Sequence, residues 1–188
     1  MIVVDQNPHV CESFDGGLTF KTISPPLVSN PAYNSYEWSF SAAACSTKHC
    51  VVGGNACLFA NQQCDYAFSS VFLLDIAARS WSVFNTSYMY ELACAKQDGT
   101  FALTDGAVVT TVDPGASGEQ MLFNGSPMQL QVQDFHCGGA DNLVYLGGYV
   151  QQGGSNIWSL SSNGTLSRVS SFSGNWDITA ITVPKPSM

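Results

Sequence analysis

Short apolar stretches bounded by Gly, Pro, Asn and Asp recur along this chain. Residues 71–75 (VFLLD) lead through a polar turn to residues 81–84 (WSVF). Residues 108–112 (VVTTV) likewise lead through Asp113-Pro114-Gly115 to residues 120–123 (QMLF). Pairs of short strands separated by turn-forming residues predict β-hairpins. The pattern therefore predicts an all-β protein built from antiparallel strands.

A unit of four predicted strands occurs three times. In each copy, a strand with a small residue or Cys at its centre precedes an apolar strand that ends in Gly, and a hairpin follows. The first strands contain Cys45, Cys94 and Cys137, which are 49 and 43 residues apart. Such a period is typical of the four-stranded blade of a β-propeller.

We expect a single propeller domain of about four blades over residues 1–188, because a chain of this length is short for two domains. Three repeat units cover residues 38–87, 88–128 and 129–174. A closing unit combines residues 175–188 with residues 1–37, so that a C-terminal strand over residues 177–183 completes the first blade. Two alternatives stay open: a β-sandwich, and one part of a larger propeller that another chain completes, such as a ring shared by a homodimer.

The run at residues 13–20 (SFDGGLTF) has the composition of a tight hairpin turn. Asp15 can accept hydrogen bonds from backbone N–H groups two residues on, and Gly16 and Gly17 can adopt the positive φ of a reversal. Val10 and residues 18–20 would form the two arms. The run resembles the Asp-box of sialidase-like and related β-propellers through Ser13, Asp15, Gly17, Thr19 and Phe20, with Phe20 where that family usually has Trp.

Two apolar segments also resemble kelch repeats. Residues 51–54 (VVGG) precede residues 72–75 and Trp81, and residues 144–148 (VYLGG) precede Ile157 and Trp158. These positions match the kelch double glycine, its hydrophobic third strand and the aromatic residue near the start of the fourth. The second unit departs from the pattern, because Asp105-Gly106 replaces the double glycine. Both resemblances imply a propeller, and neither implies a particular activity.

The charge of the chain limits the classes of partner that it is expected to bind. Charged residues make up 11% of the sequence, and the net charge is −8 with only six Lys and Arg residues. No basic stripe is available to neutralise a phosphate backbone, which argues against nucleic acid and anionic membrane surfaces. No apolar run approaches the roughly 20 residues of a membrane-spanning helix. We expect no membrane span.

Cysteines and glycosylation sequons favour an extracellular or secretory-lumen protein. The chain has seven cysteines and three N-x-S/T sequons, at Asn85, Asn124 and Asn163. Residues 1–5 lack the basic and apolar regions of a signal peptide. We expect either that a signal was removed or that the sequence begins inside a longer chain.

The spacing of the cysteines suggests two disulfides. Cys57 and Cys64 enclose a short loop, and Cys45 and Cys50 flank a predicted turn, so both pairs are candidate bridges. Cys94 and Cys137 occupy equivalent first strands of adjacent units, where they are expected to line a central channel or to pack as small hydrophobes. Because the number of cysteines is odd, Cys11 is left over.

The sequence offers no complete catalytic or metal-binding set. Sialidases clamp the carboxylate of their substrate with three arginines, and this chain has two in total. Its aspartates fall mostly at predicted turns, where Asp bonds backbone N–H groups, and its glutamates share no recognisable motif. No zinc-site pattern matches the spacing of Cys45, His49, Cys50, Cys57 and Cys64. We therefore expect no enzyme activity, no metal and no cofactor.

The remaining functional hypothesis is that the chain binds a partner and catalyses no reaction. Propellers carry recognition on loops at the two ends of a rigid ring. The longest predicted loops cover residues 24–37 and 55–70, and their candidate binding aromatics are Tyr33, Tyr36, Phe59, Tyr66 and Phe68. We expect a non-enzymatic, extracellular interaction or scaffold module that binds a protein or a glycan, with a homodimer or a larger assembly as a further option. A lectin-like glycan-binding protein and a degenerate glycoside-processing enzyme are the alternatives.

Overall fold

The computed structural model of this chain describes residues 2–4, 9–23, 25–26, 36–60, 63–116, 119–124, 130–138, 142–150, 154–173, 178 and 180–181. Within these residues the regular elements are β-strands, which form four antiparallel sheets. The all-β prediction is confirmed. Two compact units, Met1–Glu91 and Leu92–Met188, contain two sheets each. Among the described residues, no helix is long and apolar enough to span a membrane.

The first unit contains an N-terminal sheet and a second sheet. The N-terminal sheet has the order β1 (Ile2–Val4), β2 (Val10–Glu12) and β3 (Lys21–Ile23). The second sheet has the order β4 (Tyr36–Cys45), β5 (His49–Ala60), β6 (Gln63–Asp75) and β7 (Ser80–Thr86). Each strand pairs with the next along the chain, as in an up-and-down meander.

The segment over residues 55–70 is a hairpin, and the prediction of a long loop there is wrong. β5 and β6 pair from His49 opposite Asp75 to Ala60 opposite Gln63, with one register shift between Ala56 and Cys57. Residues 61–62, between the two strands, lie outside the described residues. Backbone pairing does not depend on apolar side chains, so the ladder continues beyond the apolar stretch into the polar one.

Both sheets of the first unit contribute to one hydrophobic core. Val10 of β2 packs with a group of buried residues from the second sheet: Trp38, Phe40, Val52, Ala56 and Phe72. The ring of Phe72 contacts Trp38 and Phe40 edge to face, with centroid distances of 5.3 and 5.6 Å. Gly54 allows this approach, because a Cβ there would lie 2.7 Å from the Phe40 ring and 2.9 Å from Phe72.

The second unit contains a third and a fourth sheet. The third is built from β8 (Leu92–Ala95), β9 (Phe101–Thr104), β10 (Val108–Val112) and β11 (Glu119–Asn124). The fourth is built from β12 (Leu130–Cys137), β13 (Val144–Val150), β14 (Gly154–Leu160) and β15 (Leu166–Phe172). Their shared core includes Ala102, Val109, Phe135, Val144, Leu146 and Leu160.

A disulfide joins the two sheets of the second unit. Cys94 of β8 is bonded to Cys137 of β12, with a Cα–Cα distance of 5.5 Å. This disulfide was not predicted, because these cysteines were expected to line a central channel or to pack as small hydrophobes. Their equivalent positions on the first strands of successive sheets bring them together.

The described part of the C-terminal segment contacts the fourth sheet. The Ile178 N–H donates to Oε1 of Gln133 at 3.0 Å, and the Ile181 N–H donates to the carboxylate of Asp134. A Cβ at Gly147 would lie 2.6 Å from Ile178 and 2.9 Å from Ile181. Residues 178, 180 and 181 are not in a strand, and the rest of the predicted 177–183 strand lies outside the described residues. A closing strand in the N-terminal sheet stays a prediction.

Candidate functional site

The loop over residues 13–20 connects β2 to β3 and closes on the side chain of Asp15. One carboxylate oxygen of Asp15 accepts the backbone N–H groups of Leu18 and Thr19 at 3.1 and 2.9 Å. The other accepts the Thr19 hydroxyl at 2.6 Å. Gly16 and Gly17 have φ angles of 76° and 93°, which favour glycine. Hydrogen bonds within the loop itself therefore fix its conformation.

The loop differs in detail from the predicted turn. The hydroxyl of Ser13 donates to Asp15 at 2.8 Å and accepts the Gly17 N–H at 2.8 Å. Asp15 therefore accepts the N–H groups of the residues three and four positions later in the chain. The Gly17 N–H, which was predicted to bond Asp15, bonds Ser13 instead. Residues 18–20 were predicted as a hairpin arm, but they belong to the loop, and the arm is β3.

These hydrogen bonds favour the ionised form of Asp15. The Thr19 hydroxyl, the Thr19 backbone N–H and the Ser13 hydroxyl hold the pKa of this carboxyl well below its usual range. Asp15 consequently stays charged, and its acceptor oxygens stay available to the loop, throughout the neutral and mildly acidic range.

The 13–20 loop presents three large apolar side chains to solvent. Phe14 is 76% exposed, Leu18 is 85% exposed and Phe20 is 49% exposed. The side chains of Ser13, Asp15 and Thr19 bond one another within the loop, and those of Phe14, Leu18 and Phe20 take no part in these bonds. Single exposed apolar residues are common on proteins, but a cluster on one ordered loop is a typical mark of an interaction site.

A cavity of about 320 Å³ lies at the base of this loop, between β2 and β3 on one side and β6 and β7 on the other. Its polar lining is formed by Glu12, Lys21, Thr22 and Arg79. Its apolar lining is formed by Ile23, Leu74, Ile76 and Trp81. The cavity therefore combines charged groups with an apolar wall, as small-ligand and side-chain pockets do.

An ion pair crosses this cavity. The guanidinium of Arg79 donates to Oε1 of Glu12, whose side chain is only 7% exposed, whereas that of Arg79 is 50% exposed. A carboxylate as buried as this requires a counter-charge. The guanidinium carbon of Arg79 also lies 5.7 Å from the centroid of the Phe14 ring, within the range of a cation–π contact. Arg79 thus connects the cavity to the apolar surface of the loop.

The turn between β6 and β7 positions Arg79. Oδ1 of Asp75 accepts the backbone N–H of Ala78 at 2.8 Å, and Arg79 closes the turn in the left-handed region with φ of 53°. This conformation is uncommon for a residue other than glycine. The turn therefore aims the Arg79 side chain across to Glu12 at the end of β2.

The predicted disulfide residues lie elsewhere in the chain. Cys45 and Cys50 are bonded at the end of the β4–β5 hairpin, with a Cα–Cα distance of 4.1 Å. Cys57 is also in a disulfide, whereas the side chain of Cys64, its predicted partner, lies outside the described residues. Cys11 has a free, partly buried thiol. Among the described side chains, no cysteine lines the cavity. Within the described residues, no three His, Cys, Asp or Glu side chains form a metal-binding group.

Two of the sequon asparagines lie at exposed positions. Asn85 of β7 accepts a hydrogen bond from Ser70 at 3.2 Å. Asn163 is in the turn between β14 and β15, where its side-chain oxygen accepts the Thr165 N–H at 3.1 Å. The side chain of Asn124 is outside the described residues. Glycosylation at these sites stays a prediction.

The side chains of the predicted binding aromatics lie outside the part of the chain that the structure describes. Tyr36, Phe59, Tyr66 and Phe68 are on strands β4, β5 and β6, and their side chains, like the whole of Tyr33, lie outside the described residues. Phe14, Leu18, Glu12 and Arg79 were not predicted as a site. The exposed side chains could have been predicted from residues 13–20, where turn-forming polar residues alternate with apolar ones.

Comparisons with known proteins define no family for this chain. No family model matches it, and no curated protein matches it. A solved structure described as "YCF48 bound to D1 peptide" is similar over 89% of this chain and 76% of that one, with 13% identity and a TM-score of 0.35. A TM-score this low does not show a shared fold.

Proposed function

We propose that this chain is a non-enzymatic protein-interaction module whose four sheets are arranged as the blades of a β-propeller. Support for the propeller comes from sheets that are formed by consecutive strands paired in chain order, as in propeller blades. The N-terminal sheet has three strands among the described residues. Its fourth strand would come from the C-terminal segment or from another chain.

The observation that carries the interaction function is the exposure of Phe14, Leu18 and Phe20 on a loop that its own hydrogen bonds hold in place. Aromatic and large aliphatic anchors supply most of the binding free energy at protein interfaces. A loop that is already ordered loses little conformational entropy on binding, so its contacts translate efficiently into affinity.

An extracellular location is part of the proposal. The bonds between Cys45 and Cys50 and between Cys94 and Cys137 require an oxidising environment to persist. The exposed positions of Asn85 and Asn163 are compatible with glycosylation in the secretory pathway.

The test is a binding screen of the full chain against a panel of secreted proteins from its own organism. The wild type is compared with Phe14→Ser/Leu18→Ser, which removes apolar surface from the loop. Val169→Ser/Phe172→Ser is the matched control, because these exposed side chains of β15 belong to the second unit. We expect binding that the loop variant loses and the control retains.

Two results would contradict the proposal. One is a set of partners that bind wild type and loop variant equally. The other is an absence of protein partners together with loop-dependent binding on a glycan array, which would favour the lectin-like alternative.

A further inference from the structure

The cavity and the apolar loop form one continuous surface. Glu12 immediately precedes the 13–20 loop, and Lys21 immediately follows it, so the two ends of the loop enter the cavity wall. Arg79 lines the cavity and also contacts the ring of Phe14. A partner segment that covers Phe14 therefore passes directly over the charged groups of the cavity.

These charges do not balance. Among the described lining residues, Lys21 and Arg79 are the cations and Glu12 is the carboxylate. Glu12 pairs with Arg79, whereas Lys21 has an exposed side chain and forms no ion pair within the described part of the chain. The described lining residues thus carry one unit of excess positive charge in a protein whose net charge is −8. A single additional carboxylate would neutralise it.

The donors suit a carboxylate. A guanidinium has five N–H donors, and the structure assigns one of them to Glu12. The apolar wall of Ile23, Leu74 and Trp81 can cover the methylene groups of an acidic side chain while its charged end faces the cations. A volume of about 320 Å³ is at the small end of ligand pockets, which fits one side chain better than an extended saccharide.

We propose that this cavity binds an Asp or Glu side chain of a protein partner, so that the recognised segment combines an acidic residue with a neighbouring apolar one. The apolar residue contacts Phe14 and Leu18, and the carboxylate enters the cavity between Lys21 and Arg79. This inference rests on the proposed interaction function and adds the chemistry of the partner.

The probe is a random heptapeptide phage library selected on the immobilised full chain, with the recovered peptides labelled for fluorescence anisotropy. We expect Asp or Glu within two residues of an aromatic or aliphatic residue. Lys21→Gln should weaken binding about two- to fivefold, which is within the range of an exposed ion pair, and Lys21→Arg should restore it. Arg168→Gln in the second unit removes the same charge at an exposed site and should leave binding unchanged.

A double-mutant cycle identifies the contact. Replacing the acidic residue of the peptide with its amide should weaken binding to wild type more than it weakens binding to Lys21→Gln, because the variant has already lost the Lys21 part of the interaction and keeps only the Arg79 part. If the losses of affinity caused by the peptide change and by Lys21→Gln are additive, the carboxylate site is overturned. Lys21 is exposed, so this variant keeps the fold, which circular dichroism verifies.

The remaining outcomes separate the two proposals. Selected peptides that lack acidic residues but depend on Phe14 and Leu18 would overturn the carboxylate site and leave the interaction function standing. Peptides insensitive to all of these variants, or no specific peptides at all, would contradict both. If N-acetylneuraminate displaces the peptide and acetate at the same concentration does not, the cavity would be assigned to an acidic glycan and the peptide assignment would be overturned.

Discussion

Glu12 and Arg79, which are 67 residues apart in the sequence, form an ion pair that links the end of β2 to the turn between β6 and β7. The pair is asymmetric, because the carboxylate is nearly buried and the guanidinium is half exposed. Removing the cation would leave a buried charge, whereas removing the carboxylate would leave a cation that water can still solvate.

We predict that Arg79→Met lowers the free energy of unfolding by about 1–3 kcal/mol, because Glu12 would stay buried without its counter-charge. Urea unfolding monitored by tryptophan fluorescence measures this loss. Adding Glu12→Gln should recover part of it, and Arg168→Met, at an exposed position, should change stability by less than about 0.5 kcal/mol. Equal effects of Arg79→Met and Arg168→Met would contradict the prediction.

Asp15 makes the 13–20 loop sensitive to acid. Its pKa is lower in the folded chain than in the unfolded one, so the stabilisation is fully present above about pH 4 and is lost as the pH falls through the folded value. The stability difference between wild type and Asp15→Asn should therefore be constant near neutrality and shrink in acid. Urea unfolding at a series of pH values tests this, and a difference that grows on acidification would refute it.

The hydroxyl of Thr19 is the largest contributor to the low pKa of Asp15. Thr19→Val removes this donor and keeps the backbone N–H, so it should raise the pKa of Asp15 toward its usual range without abolishing the shift. The carboxyl ¹³C chemical shift of Asp15 follows the titration directly. An unchanged titration in the variant would show that the hydroxyl does not act on Asp15.

Gly54 is required by the rings that pack against it. Gly54→Ala should destabilise the chain by about 1–3 kcal/mol, because the added Cβ would lie 2.7 Å from Phe40 in a closely packed core. Gly115→Ala is the control, since a Cβ there meets its nearest atom at 3.4 Å on an exposed turn. Thermal unfolding compares the two, and a loss in Gly115→Ala as large as that in Gly54→Ala would contradict this account.

The two assigned disulfides should differ in their contribution to stability. In the chain-entropy model a bond between residues 43 apart, such as Cys94–Cys137, contributes about 4 kcal/mol, and one between residues 5 apart, such as Cys45–Cys50, about 2 kcal/mol. Paired Cys→Ser variants measured by urea unfolding give both values. A larger loss for the Cys45–Cys50 pair would contradict this order.

The sequence predicts those parts of this molecule that depend on local pattern. The apolar stretches at residues 71–75 and 108–112 are strands, because alternation and turn residues act over a few positions. The hairpin arms over residues 55–70 were missed, since their pairing depends on the partner strand and not on apolar side chains. The Cys94–Cys137 bond was missed because connectivity cannot be deduced from spacing.

The candidate site was largely hidden from sequence reasoning for the same reason. Glu12 and Arg79 belong to no shared motif, and only the packing of β2 beside the turn after β6 brings them together. The sequence did predict a reversal at Asp15 held by its own side chains, although Asp15 bonds the N–H groups of Leu18 and Thr19 and not that of Gly17. The kind of local turn was therefore predictable, its exact hydrogen bonds were not, and neither were the residues that meet through the fold.

In the 13–20 loop, one set of residues determines the conformation and another set forms the exposed apolar surface. Ser13, Asp15, Gly17 and Thr19 determine its shape, while Phe14, Leu18 and Phe20 form its outer surface. Because the side chains of the second set take no part in the hydrogen bonds of the first, substitutions at the outer positions can change what the loop recognises without changing how it folds. Mutation could redirect this chain to new partners in single steps, with the loop framework held constant throughout.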